Sequence, residues 1–155
     1  RNKNFLQINS NFLLLKILIF LIFTQIIIGA FVSGLDAGKI YQTWPLMNGS
    51  YLPSDYFFNE FFNFGNPSFV QFLHRNLAYI IFILSISLGV FIYRKKLTSL
   101  YSSYFFLLIL IFLQVLLGIL TLYSNLNIIL ASSHQISSIF LVACSLNLYY
   151  RSIRS

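Results

Sequence analysis

His74 and His134 are the only imidazoles in a chain of 155 residues, and each sits inside an apolar run. Ionisable groups in such runs are functional candidates by default. Twenty residues separate His74 from Arg94, and twenty separate His134 from Arg154. A helix rises about 1.5 Å per residue, so both imidazoles lie roughly 30 Å from one boundary. Their neighbourhoods match too. At +4, +7 and +11 from His74 stand Ala78, Ile81 and Ser85, and from His134 stand Ser138, Leu141 and Ser145. Both read small, large aliphatic, small along one helical stripe, a profile suited to a flat macrocycle lying beside the helix. Upstream, Gln25 precedes Gly29 by four residues and Gln114 precedes Gly118 by four. Gly at those places lets a neighbour approach the backbone closely. The chain therefore reads as a duplicated helical hairpin, Gln-x3-Gly followed by His.

A pseudo-twofold pair of such hairpins would aim the imidazoles at each other across a bundle core, where helix bundles commonly build cofactor sites. Two facing neutral imidazoles suit the axial positions of a heme iron. Zinc suits less well, because a structural site takes four Cys, His or carboxylate ligands and no others stand nearby. Taken singly, either histidine could instead sit at the interface or hydrogen-bond a neighbouring helix. The shared depth and matched flanks favour a ligand pair. Arg75 could bind a heme propionate by a charge-assisted hydrogen bond, or could anchor its helix at the membrane surface. Lys39 is a weaker candidate for the propionate. Gln25 and Gln114 read as interhelical hydrogen-bonders, and no residue reads as catalytic.

The elements that position these groups follow from composition. The chain is 58% hydrophobic and 8% charged, with a mean hydropathy of +0.81. Soluble domains carry about 25% charged residues, so the solvent here is lipid. The net charge of +7 comes without a basic patch interleaved with aromatics, which speaks against nucleic acid. Four runs, Phe12–Ser33, Phe72–Tyr93, Tyr101–Tyr123 and Asn127–Tyr150, are each long enough for the roughly 20 residues that span a bilayer. Each must be helical to satisfy its backbone in hydrocarbon. Lys16 lies about one turn inside the first run, within snorkelling reach of the headgroups. That run is too long for a signal peptide and lacks a cleavage pattern. The expected fold is an all-α integral membrane four-helix bundle, one domain of two pseudo-twofold-related hairpins.

Arg1, Lys3, Arg94, Lys95, Lys96, Arg151 and Arg154 fall on one side of this serpentine, against Lys39 and Arg75 on the other. The positive-inside rule puts the termini on the cytoplasmic or matrix side. The segment Gly34–Gln71 is then external. It holds Asp36, Asp55 and Glu60, the sole Trp44 and all three prolines, and its aromatic content suits the membrane interface. Cys144, alone in an apolar run, forms no internal disulfide and gives no redox-compartment signal. A first residue of Arg1 rather than Met suggests a processed or truncated chain.

Several segments carry a family resemblance. The run Gly29-Ala30-Phe31-Val32-Ser33-Gly34-Leu35-Asp36-Ala37-Gly38-Lys39-Ile40-Tyr41, with Thr43-Trp44-Pro45-Leu46-Met47, resembles the signature after the fifth helix of heme A synthase. Val70-Gln71-Phe72-Leu73-His74-Arg75, Leu113-Gln114-Val115-Leu116-Leu117-Gly118 and Ala131-Ser132-Ser133-His134-Gln135 follow in the family's order, so the similarity covers almost the whole chain. The resemblance implies an eight-helix membrane enzyme of two four-helix halves, which oxidises a methyl group of heme O to the formyl group of heme A for cytochrome oxidase. This chain corresponds to the C-terminal half, where paired histidines, here His74 and His134, hold a heme b. The family's N-terminal half carries a glutamate three residues before its first histidine. Gln71 stands at the equivalent position, and no apolar run contains Asp or Glu. The half is therefore expected to bind cofactor rather than catalyse. Implied partners are the bilayer, the N-terminal half, heme O synthase and a second copy, in a bacterial or mitochondrial inner membrane. Two other readings stay open: a stand-alone bis-histidine cytochrome in quinol-linked electron transfer, and a heme-free scaffold.

Overall fold

The computed structural model describes residues 12–54 and 63–154. Arg1, Lys3, Asp55 and Glu60 lie outside the described residues. Four helices follow one another: α1 Leu13–Gly34, α2 Pro67–Arg94, α3 Tyr101–Tyr123 and α4 Ile128–Arg154, with short 3-10 turns at Ala37–Lys39 and Thr98–Leu100. All four helices are long and apolar enough to cross a membrane. The protein is an all-α, multi-pass membrane bundle.

The helix ends show where hydropathy misjudges boundaries. α2 starts at Pro67, ahead of the apolar run, because Asn66 caps it. The Asn66 Oδ1 accepts from Ser68 N at 2.9 Å and Phe69 N at 3.2 Å, and Pro67 occupies the first helical position. The segment between α1 and α2 therefore ends at Asn66, not Gln71, and His74 lies two turns inside α2. α4 runs past Tyr150 to Arg154, since cations are favourable in a last turn. Asn127 caps its start, accepting from Ile129 N at 2.9 Å. α2 and α3 both stop in Schellman-type turns with a left-handed residue, Lys96 and Asn125. There Leu97 N donates to Ile92 O at 3.1 Å, and Leu126 N donates to Thr121 O at 2.9 Å.

α1 packs most extensively on α2 and α3 on α4, while α1–α4 and α2–α3 contacts close the bundle. The buried positions repeat. Leu18 and Ile22 in α1 correspond to Leu107 and Ile111 in α3. Ile81, Ser85 and Leu88 in α2 correspond to Leu141, Ser145 and Leu148 in α4, at the same distances from the two histidines. Ser85 and Ser145 are fully buried, and each satisfies its hydroxyl on the carbonyl three residues back, at 2.7 and 2.8 Å. Phe20, Ile27, Ile83, Phe112 and Ile139 point outward, exposed, as lipid-facing residues of such a bundle must.

Residues 35–54 form a strap across the end of the bundle that holds the histidines. Asn48 and Gly49 both have positive φ and make a two-residue hairpin turn in which Met47 N donates to Ser50 O at 2.7 Å. The Trp44–Pro45 peptide is cis. Tyr51 donates its hydroxyl to Asn76 of α2, and Tyr123 of α3 donates to the Trp44 carbonyl at 2.9 Å. The strap thus ties the two hairpins together where the histidines lie.

Candidate bis-histidine site

α2 and α4 bring His74 and His134 side by side, with ring centroids 6.5 Å apart and planes 77° to each other. Two metal–imidazole bonds of about 2 Å in line would hold ring centroids roughly 6 Å apart. The spacing matches two ligands on one ion.

The helix before each histidine holds that histidine's main-chain carbonyl, and in the first hairpin it also reaches the ring. The Gln25 amide donates to the His74 carbonyl at 3.0 Å, and its nitrogen lies 3.3 Å from the ring Nε2. The Gln114 amide donates to the His134 carbonyl at 3.3 Å and to the Ser137 hydroxyl at 2.5 Å. Glycine leaves room for the rings. A Cβ on Gly29 would come within 3.2 Å of His74 Cε1, and one on Gly118 within 3.4 Å of His134 Cε1. The Gln-x3-Gly spacing therefore has a physical reason: glutamine holds the histidine's helix while glycine, one turn later, accepts the imidazole.

On both histidines Nδ1 is buried without a hydrogen-bond partner. A buried polar atom left unsatisfied costs about 1–3 kcal/mol. Each of the two neighbouring rings therefore keeps one nitrogen that no protein group among the described residues occupies. Among the described residues no three of His, Cys, Asp and Glu converge, so any ion here has two side-chain ligands of these types.

Arg75 is buried, and its fork reaches the strap. Its Nη1 donates to the Thr43 carbonyl at 2.8 Å and its Nη2 to the Tyr41 carbonyl at 2.7 Å. Gln71, also buried, adds a bond from Nε2 to the same Tyr41 carbonyl at 2.8 Å. The Arg75 Nε has no partner. Lys39 lies on the exposed surface, paired with Asp36 at 2.9 Å. Sequence reasoning missed the receiving carbonyls of Tyr41 and Thr43, because a main-chain oxygen has no signature in residue type. It also missed Ser137, at +3 from His134 where the first repeat has Leu77, and Tyr79, whose hydroxyl is buried and unpartnered.

Comparison with known proteins agrees with this architecture. Residues 4–146 match the family described as Cytochrome oxidase assembly protein, COX15-CtaA. A heme A synthase of Pelagibacter ubique (strain HTCC1062) is 42% identical over 142 residues, covering 90% of this chain and 42% of that relative. One from Wolbachia sp. subsp. Brugia malayi (strain TRS) is 44% identical over 133 residues, covering 84% of this chain and 38% of the relative. One from Rickettsia africae (strain ESF-5) is 37% identical over 137 residues, covering 86% and 40%. The chain spans about two-fifths of the length of the curated relatives it matches. No solved structure matches it. With nearly its whole length aligned to the family, and with the paired histidines lying inside the matched region, the chain belongs to the cytochrome oxidase assembly protein family, COX15-CtaA.

Proposed function

We propose that this chain is the heme-b-binding half of a heme A synthase, the C-terminal four helices of an eight-helix protein, in which His74 and His134 would hold the heme iron. The observation that carries the reading is the pair of facing imidazoles 6.5 Å apart, each with a buried unpartnered nitrogen. A bound heme would supply one-electron redox chemistry. The chain's own residues fix its ligands: Gln25 and Gln114 hold the two histidine-bearing helices, and Gly29 and Gly118 keep the rings' flanks clear. Arg75 contributes a positive charge beside His74, with Nε free for a propionate. α1 to α4 contain no Asp or Glu, and Gln71 has no pKa near working pH, so general acid–base help must come from elsewhere. Oxidation of heme O is assigned to an N-terminal half in the same inner membrane, bacterial or mitochondrial, with the termini on the cytoplasmic or matrix side. Heme O synthase and a second copy are further expected partners.

The test expresses residues 1–155 in a strain that makes heme O but lacks its own synthase, followed by chromatography of extracted hemes. Heme b alone, with heme A appearing once the N-terminal half is co-expressed, is the expected result. Heme A or its hydroxymethyl precursor from the segment alone would overturn the division of labour. The absence of carboxylates in the helices also favours a stand-alone bis-histidine cytochrome, which predicts quinol-reducible heme b and no response to the other half.

A further inference from the structure

We infer that the crevice between α2 and α3, at the end of the bundle away from the histidines, binds one phospholipid with an anionic headgroup. The crevice has a volume of about 430 Å³ and is lined by Gly89 and Tyr93 of α2 with Tyr101, Tyr104 and Phe105 of α3. It adjoins a recess of about 380 Å³ that reaches Val90 and Arg94. Its shape depends on a missing side chain. Tyr104 crosses to donate its hydroxyl to the Ser85 carbonyl at 3.0 Å, passing so close to Gly89 that a Cβ there would collide with it. Tyr93 and Phe105 at its rim are largely exposed, so the crevice opens sideways into the lipid.

The duplication supplies an internal control. The matching interface, between α4 and α1, has Tyr149 and Tyr150 where α2 has Gly89 and Val90, and Leu15 where α3 has Tyr104. Tyr149 is partly buried against the core there, and Lys16 lies 6.0 Å from its ring centroid. Arg154, the counterpart of Arg94, lies 4.5 Å from the ring centroid of Tyr150. Val90 offers Arg94 no such ring, and Arg94 lines the recess instead. The two hairpins are alike in their cores and differ here: Arg154 lies against a tyrosine ring, whereas Arg94 lines an open recess.

Charge selects the occupant. Arg94 lines this mouth, and Lys95 and Lys96 follow it directly in sequence, all three exposed. Asp36, the one acidic residue among the described residues, lies just beyond the end of α1 at the opposite end of the bundle. Among the described residues the cations therefore have no carboxylate side chain within their own end of the bundle. Basic pockets between transmembrane helices on the positive side recruit anionic headgroups, while tyrosines settle at the headgroup level. Gly89 lies fifteen residues beyond His74, or about 22 Å along the helix, so the occupant does not touch the histidine pair. The inference is independent of the heme reading.

The test reconstitutes the protein, with its natural flanking sequence, in bilayers of equal phosphatidylglycerol and phosphatidylcholine. Spin-labelled versions of each lipid report the motionally restricted fraction. The wild type should prefer phosphatidylglycerol. R94Q removes the charge and should lower that preference roughly fivefold, and V90Y, which supplies the ring that Arg154 has in the second repeat, should lower it as well. Lys95 and Lys96 remain to preserve topology, and unchanged helix content confirms folding. R154Q should leave the preference intact. No preference in the wild type, an equal loss in R154Q, or no loss in R94Q and V90Y would each overturn the inference.

Discussion

Each imidazole of the pair lies against a glycine of another helix, so its replacement is not the only way to disturb it. His74→Ala or His134→Ala should abolish the low-spin heme spectrum of purified protein, and an unchanged spectrum in the double variant would remove both from the ligand set. The glycines give a graded test. A methyl on Gly29 meets His74 at 3.2 Å, tighter than the 3.4 Å that one on Gly118 finds at His134. Gly29→Ala should therefore perturb the heme absorbance and lower heme retention more than Gly118→Ala; the opposite order would mean that the rings are free to move. Arg75→Lys separates charge from geometry. Lysine keeps the positive charge but lacks the planar fork that binds the Tyr41 and Thr43 carbonyls together. Faster proteolysis of the external strap with lysine present is the expected outcome. A strap as resistant as in the wild type would show that charge alone suffices.

At the scale of elements, α2 carries the site and the latch on one continuous helix. Its first two and a half turns, from the Asn66 cap to Arg75, hold Gln71, His74 and Arg75, so the strap's anchors and His74 share one rigid body. Fraying at this end would move both. Asn66→Ala removes the acceptor for Ser68 N and Phe69 N and should cost about 1 kcal/mol of stability, measured by reversible unfolding in mixed detergent. Heme should become easier to extract at the same time. Stability lost with heme retention unchanged would mean that the cap and the site are not coupled.

For the whole molecule, the basic residues set the orientation and the repeat sets the shape. Ser50 and Thr98 are both exposed and lie at opposite ends of the bundle. With Cys144 replaced, Ser50→Cys should react with a membrane-impermeant thiol reagent in intact cells, and Thr98→Cys only after lysis. Labelling in the reverse order would invert the topology and move the histidines to the other membrane face. The sequence by itself determined the four helices, their lipid environment, the equal depth of His74 and His134, and the Gln-x3-Gly duplication. These are local quantities: hydropathy, helical rise and residue spacing need no knowledge of neighbours. Hydropathy marks what a helix touches rather than where its hydrogen bonds end, which is why α2 begins at Asn66–Pro67 and α4 continues to Arg154 beyond the apolar runs. The tertiary structure decided the rest. That Arg75 and Gln71 fasten the strap was hidden because their partners are main-chain carbonyls more than twenty-five residues away, and every residue has one. That Gly89 makes room for Tyr104, while its counterpart Tyr149 packs partly buried against the core, became visible only when α3 and α1 were packed against them, because space is a property of two helices together.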